Sequence, residues 1–149
     1  MDRTERLLAT QELQAQLMEY WHDVDTNWGR NAGTYYTEDA VFQGPEATYR
    51  GREKILEFYR WRESRGERTA VHAVSNFRVQ FESDSRATST WYLLLYAADG
   101  APVLPTHPPI QIALVTDTCV KDASGRWLWS YRKFDAWFQG GTPPTNPRL

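Results

Sequence analysis

At Gly66 the apolar pattern changes period, and that change restricts the fold more than any other feature of the sequence. Before it, Leu13, Leu17, Tyr20, Trp21, Val24 and Trp28 recur at steps of three and four, which predicts one helix over 4–28. Ile55, Leu56 and Tyr59 within "REKILEFYRWRES" predict a second. After Gly66 the apolar residues alternate or run together, in stretches divided by turn signals at Asp99-Gly100 and at 123–125. Helices followed by an unbroken run of strands predict an α+β fold, with the N-terminal helices lying on one face of a curved mixed or antiparallel sheet.

The strands are expected at 69–81, 87–98, 110–120 and in "RWLWSYRKFDAWF". Between the helices, a helical turn is expected at 32–36, a short strand at 40–43 stopped by Gly44-Pro45, and another within "ATYRG". The tail "GGTPPTNPRL" reads as loose from about 139. Nothing marks a domain boundary or a repeat, so 1–149 reads as a single domain.

A chain of 149 residues with 41% hydrophobic and 14% aromatic content can build a core without covalent staples. Its net charge of −2 offers no basic footprint for nucleic acid. Cys119 stands alone, which excludes an internal disulfide and a cysteine-built metal site. The charged start "MDRTERLLATQEL" lacks a signal-peptide core, and no stretch approaches the ~18 apolar residues of a membrane span. The expectation is a cytoplasmic chain with no membrane partner.

Two strands conflict with a helix-covered sheet standing alone. "ATSTWYLLLYAA" and "IQIALVTDTCV" are apolar on both parities, as in strands buried on both faces. One N-terminal cluster of helices covers only one face. A second subunit is expected on the other, giving a homo-oligomer, trimer or dimer. In the 69–81 strand, Val71, Ala73, Ser75, Phe77, Val79 and Phe81 share one parity, while His72, Val74 and Asn76 fall on the other. Either the strand bulges near Ser75, or the 71–81 face lies in a subunit interface.

The segment "EYWHDVDTNWG" places a carboxylate where the core should be. Asp25 shares its helix stripe with Leu17, Trp21 and Trp28, whereas Asp23 points about 160° away and should be solvated. A buried aspartate is costly unless it is paired. His22 sits at the wrong angle on the same helix, His107 lies in the loop "PTHPP", and His72 lies near the start of the long strand. Each residue also has an ordinary reading: Asp25 as an edge or cap residue, His72 as a structural histidine, Trp21 and Trp28 as core. The residues alone do not choose between these.

"YWHDVD", "YYTEDAVF", "YRGREKILEF", "AVHAVSNFRV" and "GRWLWSYRKF", in that order, resemble the SnoaL-like branch of the nuclear transport factor 2-like superfamily over residues 8–138. Within it the sequence is most similar to the group of scytalone dehydratase, hexachlorocyclohexane dehydrochlorinase and bile acid dehydratase. The resemblance implies a cone-shaped α+β barrel whose pocket is closed by the first helix, often in trimers. It implies a catalytic pair of Asp25 and His72, assisted by Tyr20, with Trp21, Trp28, Phe42, Asn76 and Leu95 around the substrate. The implied activity is a dehydratase-like lyase or isomerase acting on a small hydrophobic cyclic compound by general base catalysis, with no metal and no organic cofactor. A SnoaL-type polyketide cyclase, or a non-catalytic ligand-binding or scaffold subunit such as a dioxygenase small subunit, are the alternatives. Leu95 stands where the bile acid dehydratase pattern carries an acid, and Gly44 near where it carries a pocket tyrosine, so the pocket is expected to be more apolar.

Overall fold

The computed structural model describes residues 1–140. The first helix, α1 (Arg3–Asn27), starts from a capping box: the Glu5 backbone N–H donates to Asp2 Oδ1 and the Asp2 backbone N–H to Glu5 Oε2, both at 2.8 Å. Its stripe of Leu13, Leu17, Tyr20, Trp21 and Val24 is buried. The helix ends where Trp28 and Gly29 enter the left-handed region, at φ 60 and φ 69. A 3-10 turn over Ala32–Tyr35 leads into β1 (Tyr36–Gln43), then β2 (Thr48–Arg50) and α2 (Arg52–Ser64). Four long strands follow: β3 (Arg68–Ser83), β4 (Arg86–Asp99), β5 (Gln111–Lys121) and β6 (Trp127–Gln139).

The six strands form one sheet in the order β2-β1-β6-β5-β4-β3, antiparallel throughout except for the parallel β1–β6 pair. The expected α+β fold with a curved mixed sheet is present. The sheet does not close into a barrel: β2 and β3 are free edges. β1 begins at Tyr36, earlier than the expected 40, because the turn stops at Tyr35 and Tyr36 pairs with Trp129. The tail expected to be loose falls mostly at 141–149, outside the described residues.

Two one-residue insertions set which side chains face the helices. In β3, Ser75 pairs with Tyr92 but Arg78 with Thr90, so three steps on one strand match two on the other. Asn76, exposed and at φ 55, is in this bulge. The parity switch lets Val74 before the bulge and Phe77, Val79 and Phe81 after it all pack on the core, while Val71 is 51% exposed. Of the two explanations left open by the sequence, the bulge accounts for His72. In β6, a register shift opposite Thr118 and Cys119 does the same: Trp127 and Trp129, then Arg132 and Phe134, share the buried side.

Trp91 and Leu93 of β4 and Val115 and Cys119 of β5 complete that side. Burial pushes the Cys119 thiol up to about 12, so it is a packing residue rather than a nucleophile. The opposite parity, including Tyr92, Leu94, Ile112 and Leu114, is only half-buried. Among the described residues, no helix is long and apolar enough to cross a membrane.

Candidate active site

Asp25 occupies the last turn of α1 and reaches the edge strand β3. There it holds His72 at two points: Oδ1 lies 2.6 Å from the ring Nδ1, and Oδ2 accepts the His72 backbone N–H at 3.0 Å. The second bond depends on the sheet. His72 opposes Leu95, whose carbonyl turns away to accept from Ile110 at 2.7 Å, so the pair does not exchange backbone hydrogen bonds. The His72 N–H therefore points off the open edge, where a carboxylate from the covering helix satisfies it. One turn before Asp25, Trp21 stacks on the imidazole at 4.1 Å with planes 3° apart.

With Nδ1–H donated to the carboxylate, Nε2 carries the free lone pair. The His72 side chain is only 8% exposed, and burial pulls its pKa below the ordinary imidazole value of 6.5. Asp25 opposes that pull through its hydrogen bond and charge, while Arg62 and Arg68 add to it. The result is an imidazole neutral at physiological pH, oriented, and beside a carboxylate that stabilises it once protonated.

The imidazole opens on a cavity of about 720 Å3, counted out through its mouth. Trp21, Phe42, Phe58, Leu93, Leu95 and Phe134 supply apolar wall, and Tyr59, Arg62, Arg68 and Gln111 supply polar groups. Behind it lies a buried polar network. The Tyr20 hydroxyl bonds to those of Tyr36, at 2.6 Å, and Tyr59. Arg132 Nη1 donates to the Tyr36 hydroxyl at 3.2 Å, and its Nε and Nη2 grip Asp117 at 2.6 and 2.9 Å. Trp91 Nε1 donates to the same carboxylate at 2.9 Å. The Arg132 guanidinium lies 3.9 Å from the Trp129 ring centroid, a close cation–π contact.

Of the residues singled out in the sequence, Asp25 and His72 meet, and Trp21, Phe42 and Leu95 line the cavity, as does Gly44. Tyr20 lies one side chain further back, fully buried and joined to the cavity through Tyr59. Trp28 and Asn76 do not line it. Trp28 is half-buried beyond the end of α1, and the bulge turns Asn76 to solvent. His22 and His107 are exposed, and no residue of 101–109 lines the cavity.

Asp23 corrects an expectation. It is buried at 8% exposure because the chain after α1 folds back over it: Asn27 Nδ2, Asn31 N and Asn31 Nδ2 donate to its carboxylate at 2.8, 3.0 and 2.9 Å. Helix angle alone does not foresee a loop that covers the far side. Tyr59, Arg62, Arg68, Gln111 and the Arg132–Asp117 pair were not foreseen as site or network members. One signal was present for the last, since a lone aspartate inside the apolar run "IALVTDTCV" requires a buried partner. Among the described residues, no three His, Cys, Asp or Glu side chains converge as a metal site.

A curved sheet and helices enclosing an apolar cavity, with one oriented imidazole–carboxylate pair beside it, define an α+β domain built around a candidate site. The chain belongs to the SnoaL-like domain family, whose model matches residues 5–133. No curated protein matches the sequence. Among solved structures, a candidate scytalone dehydratase from Novosphingobium aromaticivorans superposes with a TM-score of 0.83 at 17% identity, covering 99% of this chain and 96% of its own. LinA superposes with a TM-score of 0.75 at 21% identity, covering 100% and 98%. A protein from Catenulispora acidiphila in complex with S-DNPA does so with a TM-score of 0.72 at 22% identity, covering 87% and 94%. At these identities the likeness is one of fold.

Proposed function

We propose that the protein is a dehydratase-like lyase or isomerase that acts on a small cyclic compound by His72–Asp25 general base catalysis, without metal or organic cofactor. The observation that carries this reading is the two-point hold of Asp25 on His72, at the ring and at the backbone of the same residue. A histidine kept only for packing needs no buried carboxylate fixing its tautomer. Structural likeness to a candidate scytalone dehydratase and to a protein that binds S-DNPA agrees with a small ligand in the cavity.

In the dehydration form, His72 Nε2 takes a proton from a carbon next to the one bearing the hydroxyl. The C–H electron pair becomes the new C=C bond and the C–O bond breaks. The imidazolium, stabilised by Asp25, returns the proton to the departing oxygen, so that water leaves and His72 is neutral again. In the isomerase form the proton returns to a different carbon. Tyr59 lines the cavity, and Tyr20 assists from behind it through the bond between their hydroxyls. The half-exposed outer face of the sheet favours a homo-oligomer.

The test is turnover of a panel of hydroxylated and halogenated cyclic compounds by the wild type, Asp25→Asn and His72→Ala, with circular dichroism confirming the fold. Loss of turnover in both variants is expected. Full activity in either one overturns the assignment.

A further inference from the structure

The resemblance implies an apolar pocket, but two arginines line the cavity. Arg68, the first residue of β3, has a side chain only 9% exposed, while its partner Asp99, at 3.1 Å, is 73% exposed. The cation therefore sits inside the cavity wall and the carboxylate that meets it sits in water. Arg62 comes from the last turn of α2, half-buried beside the rings of Phe58 and Tyr59 at 5.9 and 5.8 Å. Among the described residues, no carboxylate or other acceptor meets its guanidinium. The adjacent Glu63 is already engaged by Arg30. Gln111, 7% exposed at the start of β5, lines the same cavity with its amide likewise unbonded among the described residues.

Asp25 does not itself line the cavity, and both its oxygens are committed to His72. Arg132 is neutralised by Asp117. With His72 neutral, the cavity lining carries two arginines and no carboxylate, and Asp99 meets Arg68 from the solvent side. Leaving the Arg62 and Gln111 donors unpaired beside apolar wall is costly, and a ligand that brings an acceptor removes that cost.

We propose that the cavity selects a substrate bearing a carboxylate on its ring-shaped apolar body, with Arg62 as the principal anchor and Arg68 and Gln111 beside it. This deepens the proposed function and rests on the cavity being the substrate site, but not on the catalytic dyad. The charges of Arg62 and Arg68 add to the lowering of the His72 pKa by burial. A bound carboxylate offsets that effect and makes His72 a stronger base when substrate is present.

The experiment compares naphthalene carboxylate with naphthalene carboxamide, which share a ring system and differ in charge, by calorimetric titration into the full chain. The carboxylate is expected to bind tighter by on the order of tenfold, the scale of one charge-assisted hydrogen bond. The preference should vanish in Arg62→Gln and return in part in Arg62→Lys, with thermal midpoints showing that each variant is folded. It should persist in Asp25→Asn, where turnover is lost, so that failure of the dyad and failure of the anchor give different results. Equal binding of the two probes by the wild type, binding of neither, or an unchanged preference in Arg62→Gln overturns the proposal.

Discussion

His72 is held between opposing influences, and its titration reports on them separately. Burial, Arg62 and Arg68 lower its pKa, and Asp25 raises it. Removing the carboxylate in Asp25→Asn should therefore move the His72 resonance to a still lower pKa in an NMR titration. Turnover should fall by roughly 10²–10⁴-fold, the usual contribution of a positioned base. In the wild type, kcat/KM should hold level at and above neutral pH and decline only below 6.5, as the lowered pKa is crossed. Stability follows the same sign. The unfolded chain binds this proton more readily than the folded one, so the His72 contribution is complete above about 6.5 and is lost as pH falls to the folded pKa. Arg132 and Asp117 are 0% and 1% exposed at their side chains. Arg132→Met leaves Asp117 buried without its counter-ion and should cost about 3–5 kcal/mol, measured by denaturant unfolding.

The elements carry the site through two local irregularities. The β3 bulge at Asn76 lets His72 and the Phe77–Phe81 run serve the same side of the sheet. Deleting Asn76 should restore strict alternation, forcing one of those two groups outward. The expected result is loss of the His72–Asp25 coupling or of the aromatic packing, read by NMR titration and near-ultraviolet circular dichroism. At the end of α1, Gly29 sits at φ 69, and a Cβ built there falls 2.6 Å from Tyr59 Cδ1. Gly29→Ala combines backbone strain with a push on the ring that joins Tyr20 to the cavity. It should destabilise the fold by at least about 1 kcal/mol, seen as a lower Tm. Element types and most boundaries were legible in the sequence because period three-to-four and period two are strong local signals. The odd parity of His72 was legible as a conflict, though not its resolution, since a bulge depends on the opposing strand. Tyr59, Arg62, Arg68 and Gln111 come together only through the topology, from one helix and the starts of two strands.

The whole molecule presents one finished face and one unfinished face. Trp137 and Phe138, at the end of β6, are 55% and 65% exposed, and Tyr92 of β4 meets Trp137 at 5.3 Å between ring centroids. Neighbouring apolar side chains of this size are costly to leave in water. A second copy of the chain is the proposed cover, and Trp137→Ser/Phe138→Ser should shift the protein to a smaller species in light scattering, with the dyad's pKa coupling retained. An unchanged mass would place any oligomer contact elsewhere.

The parallel pairing of β1 with β6 also bears on the order of assembly during synthesis. Val41, Phe42 and Gln43 find their partners in Tyr131, Arg132 and Lys133, so the first strand stays unpaired on that side until the last has been made. A nascent chain emerging from the ribosome can zip β3, β4 and β5 as neighbours, but the aromatic stripe of α1 and the β1–β2 ribbon have no completed sheet to rest on until β6 is made. The cavity is consequently a late product of folding. The interval before its closure is when this tryptophan-rich chain is most exposed to aggregation and to chaperone capture.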